Sequence, residues 1–350
     1  MKQYILKAGR IALLSICVFM IVILVLHAIG GTLNKRVPKG GINESLYVHI
    51  NGTEQWISIY GENKSNPVLL YLHGGPGSST SHLDYAFTRK WADIYTIVTW
   101  DQRNCGKSYD SSQNDIPLTK SLLMEDGKEM TEFLLSYFSV EKITLLGHSW
   151  GSIFGANLAL EFPEYYDCFI GTGQMVDFIE NETAFKNVAI TWADGDEEAM
   201  ALVNALTPAT VTPEHLIAKN KLMEKYGYAM MRDGSDYNAI TTMLFNPYYT
   251  VGDWIKYMFA NPSVYLDFMC SEEVQAFSLE GKFVYQVPYI NINGDEDYQS
   301  YYKIAEEYFN KVVAPSKQLF VMEHTTHGLL ESKSQEFAVI MHKISEMLAD

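Results

Sequence analysis

Apolar positions fall along this chain in three regimes, and each predicts a different kind of element. The first is an unbroken run at residues 11–29, IALLSICVFMIVILVLHAI, 19 residues with no formal charge at neutral pH. At 1.5 Å per residue a helix of that length spans about 28 Å, close to the hydrocarbon thickness of a bilayer. Lys2, Lys7 and Arg10 precede it and Lys35, Arg36 and Lys39 follow it, so flanking charge gives little orientation preference. A cleavable signal peptide usually has a shorter apolar region that ends in small residues at the cut. Here the exit reads Leu26-His27-Ala28. That favours an uncleaved signal anchor in the cell membrane, with the bulk of the chain outside the cytoplasm.

The second regime consists of short strand-like runs. LYVHI at 46–50 and QWISIY at 55–60 flank Asn51-Gly52, and Asn-Gly between alternating apolar runs predicts a β-hairpin. Runs apolar throughout follow at 67–72, 94–100, 142–146 and 289–292, with another strand-like run at 319–322. Strands apolar on both faces belong in a parallel sheet covered by helices, and residues 118–138 have helical spacing. The alternation predicts a right-handed, doubly wound α/β core. In the third regime, residues 175–283, the strand rhythm stops. That stretch is rich in Met, Tyr and acidic residues, reads as mainly helical, and interrupts the core as an insertion. The expected organisation is an anchor and linker at 1–34, core at 35–174, a helical cap at 175–283, and core again at 284–350.

Composition changes this picture in two places. The formal net charge of −16 repels phosphate backbones, which argues against a nucleic-acid partner. The four cysteines, Cys17, Cys105, Cys168 and Cys270, form neither a C-x-x-C pair nor a Cys/His cluster. They predict no disulfide framework, no metal and no cofactor. Oligomeric state is not legible in the pattern.

Candidate chemistry sits at the ends of the apolar runs. Gly147-His148-Ser149-Trp150-Gly151 fits G-x-S-x-G, a pattern that a chain this long matches by accident roughly one time in ten. Its setting is more specific: it directly follows a buried strand and opens a helix that stops at Pro163, the context of a nucleophile elbow. His73-Gly74-Gly75-Pro76-Gly77 follows the 67–72 strand and can bring a backbone N–H close to substrate. With the N–H of Trp150, that of Gly75 would receive the charge of a tetrahedral intermediate. A serine needs a base and an orienting carboxylate, in this fold in the order Ser, acid, His. Asp295 and Asp297 both qualify as the acid beyond the 289–292 strand, and His324 and His327 as the base beyond 319–322. An inactive hydrolase fold serving as a binding module would lack one of these groups, and none is missing.

HGGPG, DQRNCGKS at 101–108 and GHSWGS at 147–152 together resemble the proline iminopeptidase family of α/β-hydrolases, serine aminopeptidases that release an N-terminal residue. The resemblance implies Ser149 as nucleophile, Asp297 as acid, His327 as base, and Gly75 and Trp150 as oxyanion donors. It also implies a small peptide or amide substrate, with cap glutamates receiving its amino group; Glu180 and Glu182 are the candidates. Two departures stand out: Asn104 replaces a family glycine, and the acid stands within Asp295-Glu296-Asp297. An esterase or amidase with the same triad is the alternative expectation.

Overall fold

The computed structural model describes residues 2–260 and 263–349. The predicted hairpin is present: β1 (Ile42–Ile50) and β2 (Thr53–Gly61) pair antiparallel across Asn51-Gly52. Both turn residues have positive φ, as a two-residue hairpin turn that matches strand twist requires. The remaining strands are β3 (Val68–Leu72), β4 (Thr96–Asp101), β5 (Ile143–His148), β6 (Tyr166–Thr172), β7 (Tyr289–Gly294) and β8 (Lys317–Met322). They are mutually parallel, and the sheet order is β1-β2-β4-β3-β5-β6-β7-β8.

Alternation along β3 shows how the sheet is covered on both faces. Val68, Leu70 and Leu72 join a core with Leu123, Met130 and Leu134 of the helix Lys120–Phe138 and Ile153 and Phe154 of the helix Trp150–Glu161. Leu69 and Tyr71 point the other way, into Phe87, Trp91, and Phe337 and Met341 of the helix Ser334–Ala349. Side chains alternate because the strand period is two, so continuous apolar runs require helices on both sides.

One strand, β6, escaped the sequence reading. Its run, YDCFIGT, carries Asp167 near its start and Gly171 near its end, which breaks the apolar continuity used to find the others. Asp167 points out of the core and accepts a hydrogen bond from Thr144. Between β6 and β7 the chain forms helices from Phe178 to Gln275, with a small core of their own around Phe185, Val203 and Leu222.

At the start of the chain one helix runs from Lys2 to Asn34. Its 28-residue part Lys7–Asn34 is long and apolar enough to cross a membrane. Length and composition there suit an anchor and a signal sequence alike.

Candidate active site

Four loops leave the C-terminal ends of parallel strands β3, β5, β7 and β8 on one edge of the sheet, where ligands bind in open α/β folds. The loop after β5 is the tightest. Ser149 stands between strand and helix with φ 55° and ψ −119°, a region that costs a non-glycine residue about 1–3 kcal/mol. The surroundings hold it there. Its N–H donates to Thr172 O at 2.9 Å, and its carbonyl accepts from Ser152 N at 2.9 Å and Ser152 Oγ at 2.6 Å. A Cβ on Gly147 would collide with the Gly151 carbonyl, and one on Gly151 with the Leu72 carbonyl. The flanking glycines are therefore a packing requirement of the turn.

Trp150 is the first residue of the following helix, so its N–H has no carbonyl four residues back within that helix. Opposite lies the loop after β3. Gly74 approaches so closely that a Cβ there would stand 3.1 Å from Ser149 Cβ. A chain of buried hydrogen bonds fixes the distance between loop and elbow. Gln102 N donates to His73 Nε2 at 3.3 Å, Gln102 Nε2 to the His73 carbonyl at 3.3 Å, and Trp150 Nε1 to Gln102 Oε1 at 3.0 Å. His73 Nδ1 bonds the Gly74 carbonyl at 2.8 Å, and burial lowers its pKa to about 4. A neutral ring is what this arrangement needs: one nitrogen gives a proton, the other accepts one. Arg103, next in the same segment, pairs with buried Asp126 at 2.7 Å through both Nε and Nη2. Asn104 stands at φ 53°, a left-handed position that asparagine adopts more readily than most non-glycine residues.

The loop after β7 sorts three adjacent carboxylates into three tasks. Asp295 accepts from the Thr325 backbone at 3.2 Å, a turn contact. Glu296 is half-exposed and pairs with Arg232. Asp297 is buried: Oδ1 accepts from the N–H groups of Gln299 and Ser300, both at 2.9 Å, while Oδ2 faces His327 Nδ1 at 2.7 Å. Of the two candidate histidines after β8, His324 is exposed and His327 is buried against Asp297. With Nδ1 held, Nε2 is the nitrogen left for the cavity.

That cavity has a volume of about 280 Å³ and is lined by Gly75, Ser149, His327, Glu331, and Asn220 and Met230 from the inserted region. His148 packs beside His327 with ring centroids 4.7 Å apart and planes tilted by 36°, and burial keeps its pKa well below the usual histidine value.

Neither proposed amine-binding glutamate reaches the cavity. Glu180 lines a separate surface groove with Glu307 and Lys311. Glu182 is buried and saturated, bonded to Lys219 Nζ at 2.6 Å, His215 Nε2 at 2.7 Å and Asn181 Nδ2 at 2.9 Å. Burial alone would raise its pKa, but Lys219 and His215 outweigh that and hold it at about 2. The carboxylate that does face the cavity, Glu331, was missed. Its Oε2 is buried without a hydrogen-bond partner, and burial raises its pKa. Glu331 lies on the short helix Leu329–Ser332 just after His327, and no motif in the sequence singles it out.

Comparisons with known proteins agree with this architecture. Residues 67–207 match the family described as alpha/beta hydrolase fold. The chain is 27% identical over 286 residues to a Bacillus subtilis protein named "Probable aminopeptidase YbaC", covering 79% of this chain and 88% of that protein. It is 32% identical over 102 residues to the proline iminopeptidase of Lactobacillus helveticus, covering 29% of this chain and 33% of that enzyme's length. The crystal structure of a Mycobacterium smegmatis proline iminopeptidase superposes with a TM-score of 0.61 at 20% identity, covering 88% of this chain and all of that one. With the parallel sheet, these matches show an α/β-hydrolase fold and a hydrolase whose relatives include proteins named aminopeptidase and proline iminopeptidase.

Proposed function

We propose that the chain is a serine aminopeptidase that releases the N-terminal residue of a short peptide or amide through an acyl-enzyme on Ser149. The observation that carries this reading is the composition of one cavity. It combines a serine on an elbow, an imidazole backed by a buried aspartate, and an unpartnered carboxylate.

His327 Nε2 takes the proton from Ser149 Oγ as that oxygen bonds to the first carbonyl carbon. The carbonyl π electrons move to its oxygen, and the N–H groups of Gly75 and Trp150 receive the charge. Asp297 keeps His327 in the tautomer with Nδ1 protonated and stabilises the imidazolium. Collapse breaks the C–N bond, and His327 returns its proton to the leaving nitrogen. Water then gives a proton to His327 and attacks the ester carbonyl; collapse breaks the C–Oγ bond and His327 returns that proton to Ser149 Oγ, freeing the amino acid.

Glu331 supplies the preference for a free amine. A carboxylate buried without a partner is costly, and an α-ammonium entering the cavity provides the missing donor and counter-charge. A charge-assisted hydrogen bond of this kind contributes about 1.5–3 kcal/mol, roughly 10- to 100-fold in kcat/KM.

The test is turnover of prolyl- and alanyl-naphthylamides, free and N-acetylated, with a simple aryl ester alongside, by the whole chain in detergent. Free-amine substrates should react and N-acetylation should suppress the rate by that factor. Turnover of the ester with equal or no turnover of the two amide series would move the chain to the esterase or amidase reading.

A further inference from the structure

The N-terminal helix does not end in solvent; its last two turns are fitted to the globular part. The His27 ring bridges the carbonyls of Leu244 at 2.7 Å and Tyr249 at 2.8 Å. Asn34 Nδ2 donates to Phe245 O at 2.9 Å, and Arg89 Nη1 donates to Asn34 O at 3.1 Å. Gly30 lies so close under the Phe245 ring that a Cβ would overlap it. Length arithmetic agrees. The 28 residues of Lys7–Asn34 rise about 42 Å, and a bilayer core takes about 30 Å, or roughly 20 residues. About eight residues are left over, and residues 27–34 are the ones that touch the domain.

The segment they touch leads into an unusual surface. The short helix Ala239–Leu244 leaves Ile240 78% exposed, and the helix Val251–Phe259 exposes Val251, Ile255 and Met258 by 49%, 51% and 67%. The latter three are spaced i, i+4, i+7 and share one face. The other side of that helix is bound to the domain, with Asp253 on Lys107 at 2.7 Å and Trp254 against Tyr249 at 4.6 Å. Tyr249 is the residue whose carbonyl His27 holds. Exposed Lys35 and Arg36 follow the anchor directly.

We propose that the N-terminal helix is retained in the mature protein and that the Ile240, Val251, Ile255 and Met258 face lies in the headgroup layer of the same membrane, seating the domain on a phospholipid surface. A helix removed as a signal would leave His27, Gly30 and Asn34 fitted to nothing. Lipid is the occupant because the patch continues from a helix whose side chains, half-buried Ile23 apart, are exposed from Ile11 to Leu26, with Leu13, Leu14 and Phe19 63–65% exposed. An amphipathic helix of this kind buries its apolar face by about 5–10 Å.

Two measurements on the whole chain test this. Intact mass of protein extracted from membranes should include residues 1–34; loss of that segment overturns retention. Spin labels at Ile255→Cys and Met258→Cys, in a Cys17→Ser, Cys270→Ser background reconstituted in phosphatidylcholine–phosphatidylglycerol vesicles, should collide with oxygen several-fold more than with a water-soluble nickel chelate. A label at Ile217→Cys, exposed on the inserted helices, should show the reverse order. Nickel dominance at all three sites, or dipolar broadening between labels at 255 and 258 of two copies, overturns the lipid assignment. Loss of peptide hydrolysis would bear on Ser149 chemistry and leaves these readouts unaffected.

Discussion

Two regions of this molecule hold a carboxylate 2.7 Å from an imidazole. At the sheet edge Asp297 faces His327, and within the inserted helices Glu182 faces His215. Distance does not separate them, and neither does burial: Asp297 and His327 are 1% and 2% exposed, Glu182 and His215 5% and 0%. What differs is the far side of the ring. His215 Nδ1 accepts from the Thr207 N–H at 2.8 Å, and the second Glu182 oxygen is occupied by Lys219, so every group in the cluster is answered. Beyond His327 lies a cavity that also holds Ser149 and an unanswered carboxylate. A buried charge cluster with all partners present braces a fold; one that leaves a nitrogen and an oxygen open toward a cavity is prepared for a ligand. The closed cluster has its own use here, since Lys219 and Asn181 both bond Gln299 O in the turn that carries Asp297.

The comparison can be broken in graded ways. Ser149→Ala should abolish naphthylamide turnover by about 10⁵- to 10⁶-fold with the urea midpoint little changed. Asp297→Asn should lower kcat by about 10⁴-fold, because the amide holds His327 in the wrong tautomer. In the closed cluster, Glu182→Gln should cost about 3–5 kcal/mol of stability, since it leaves Lys219 buried and unpaired. It should not alter the ratio of free to N-acetylated substrate turnover. Glu331→Gln should do the opposite: cut that ratio roughly 10- to 100-fold through kcat/KM while urea stability holds or rises. A Glu331→Gln protein with an unchanged ratio would remove this residue from amine recognition.

Acid provides a further contrast. Glu182 has a folded-state pKa of about 2 against an ordinary 4.5, so its ionised form is favoured by folding. Its contribution is complete above pH 4.5 and is lost as pH falls from there toward about 2. His73 has a folded-state pKa of about 4 against 6.5, so its neutral form is favoured, and that contribution declines as pH falls from 6.5 toward 4. Between pH 4.5 and about 2 the urea midpoint of Glu182→Gln should therefore fall less steeply than that of the wild type.

Legibility in the sequence followed the same division. The parallel strands, the hairpin and the elbow could be read because local rules decide them: continuous apolar runs, an Asn-Gly turn, glycines two residues either side of Ser149. The choice between Asp295 and Asp297, and between His324 and His327, rested on resemblance, because it depends on which side chain turns inward at a strand end. Strand β6 was hidden by Asp167, whose polar side chain faces Thr144 at the sheet margin. Glu182 was misread because the residues that neutralise it, His215 and Lys219, lie more than 30 positions away in sequence and become neighbours only when the inserted helices pack. Glu331 was overlooked for a related reason. Nothing in a sequence marks a carboxylate as unpartnered; that property belongs to the cavity.

The central claim is that the Ser149 hydroxyl is activated by His327. Labelling the whole chain with a fluorophosphonate and mapping the adduct by mass tests it most directly. The account predicts one adduct, on Ser149, absent in Ser149→Ala and formed at least about 10³-fold more slowly in His327→Ala. An unlabelled wild-type chain, an adduct on another serine, or a His327→Ala protein labelled at the wild-type rate would contradict it.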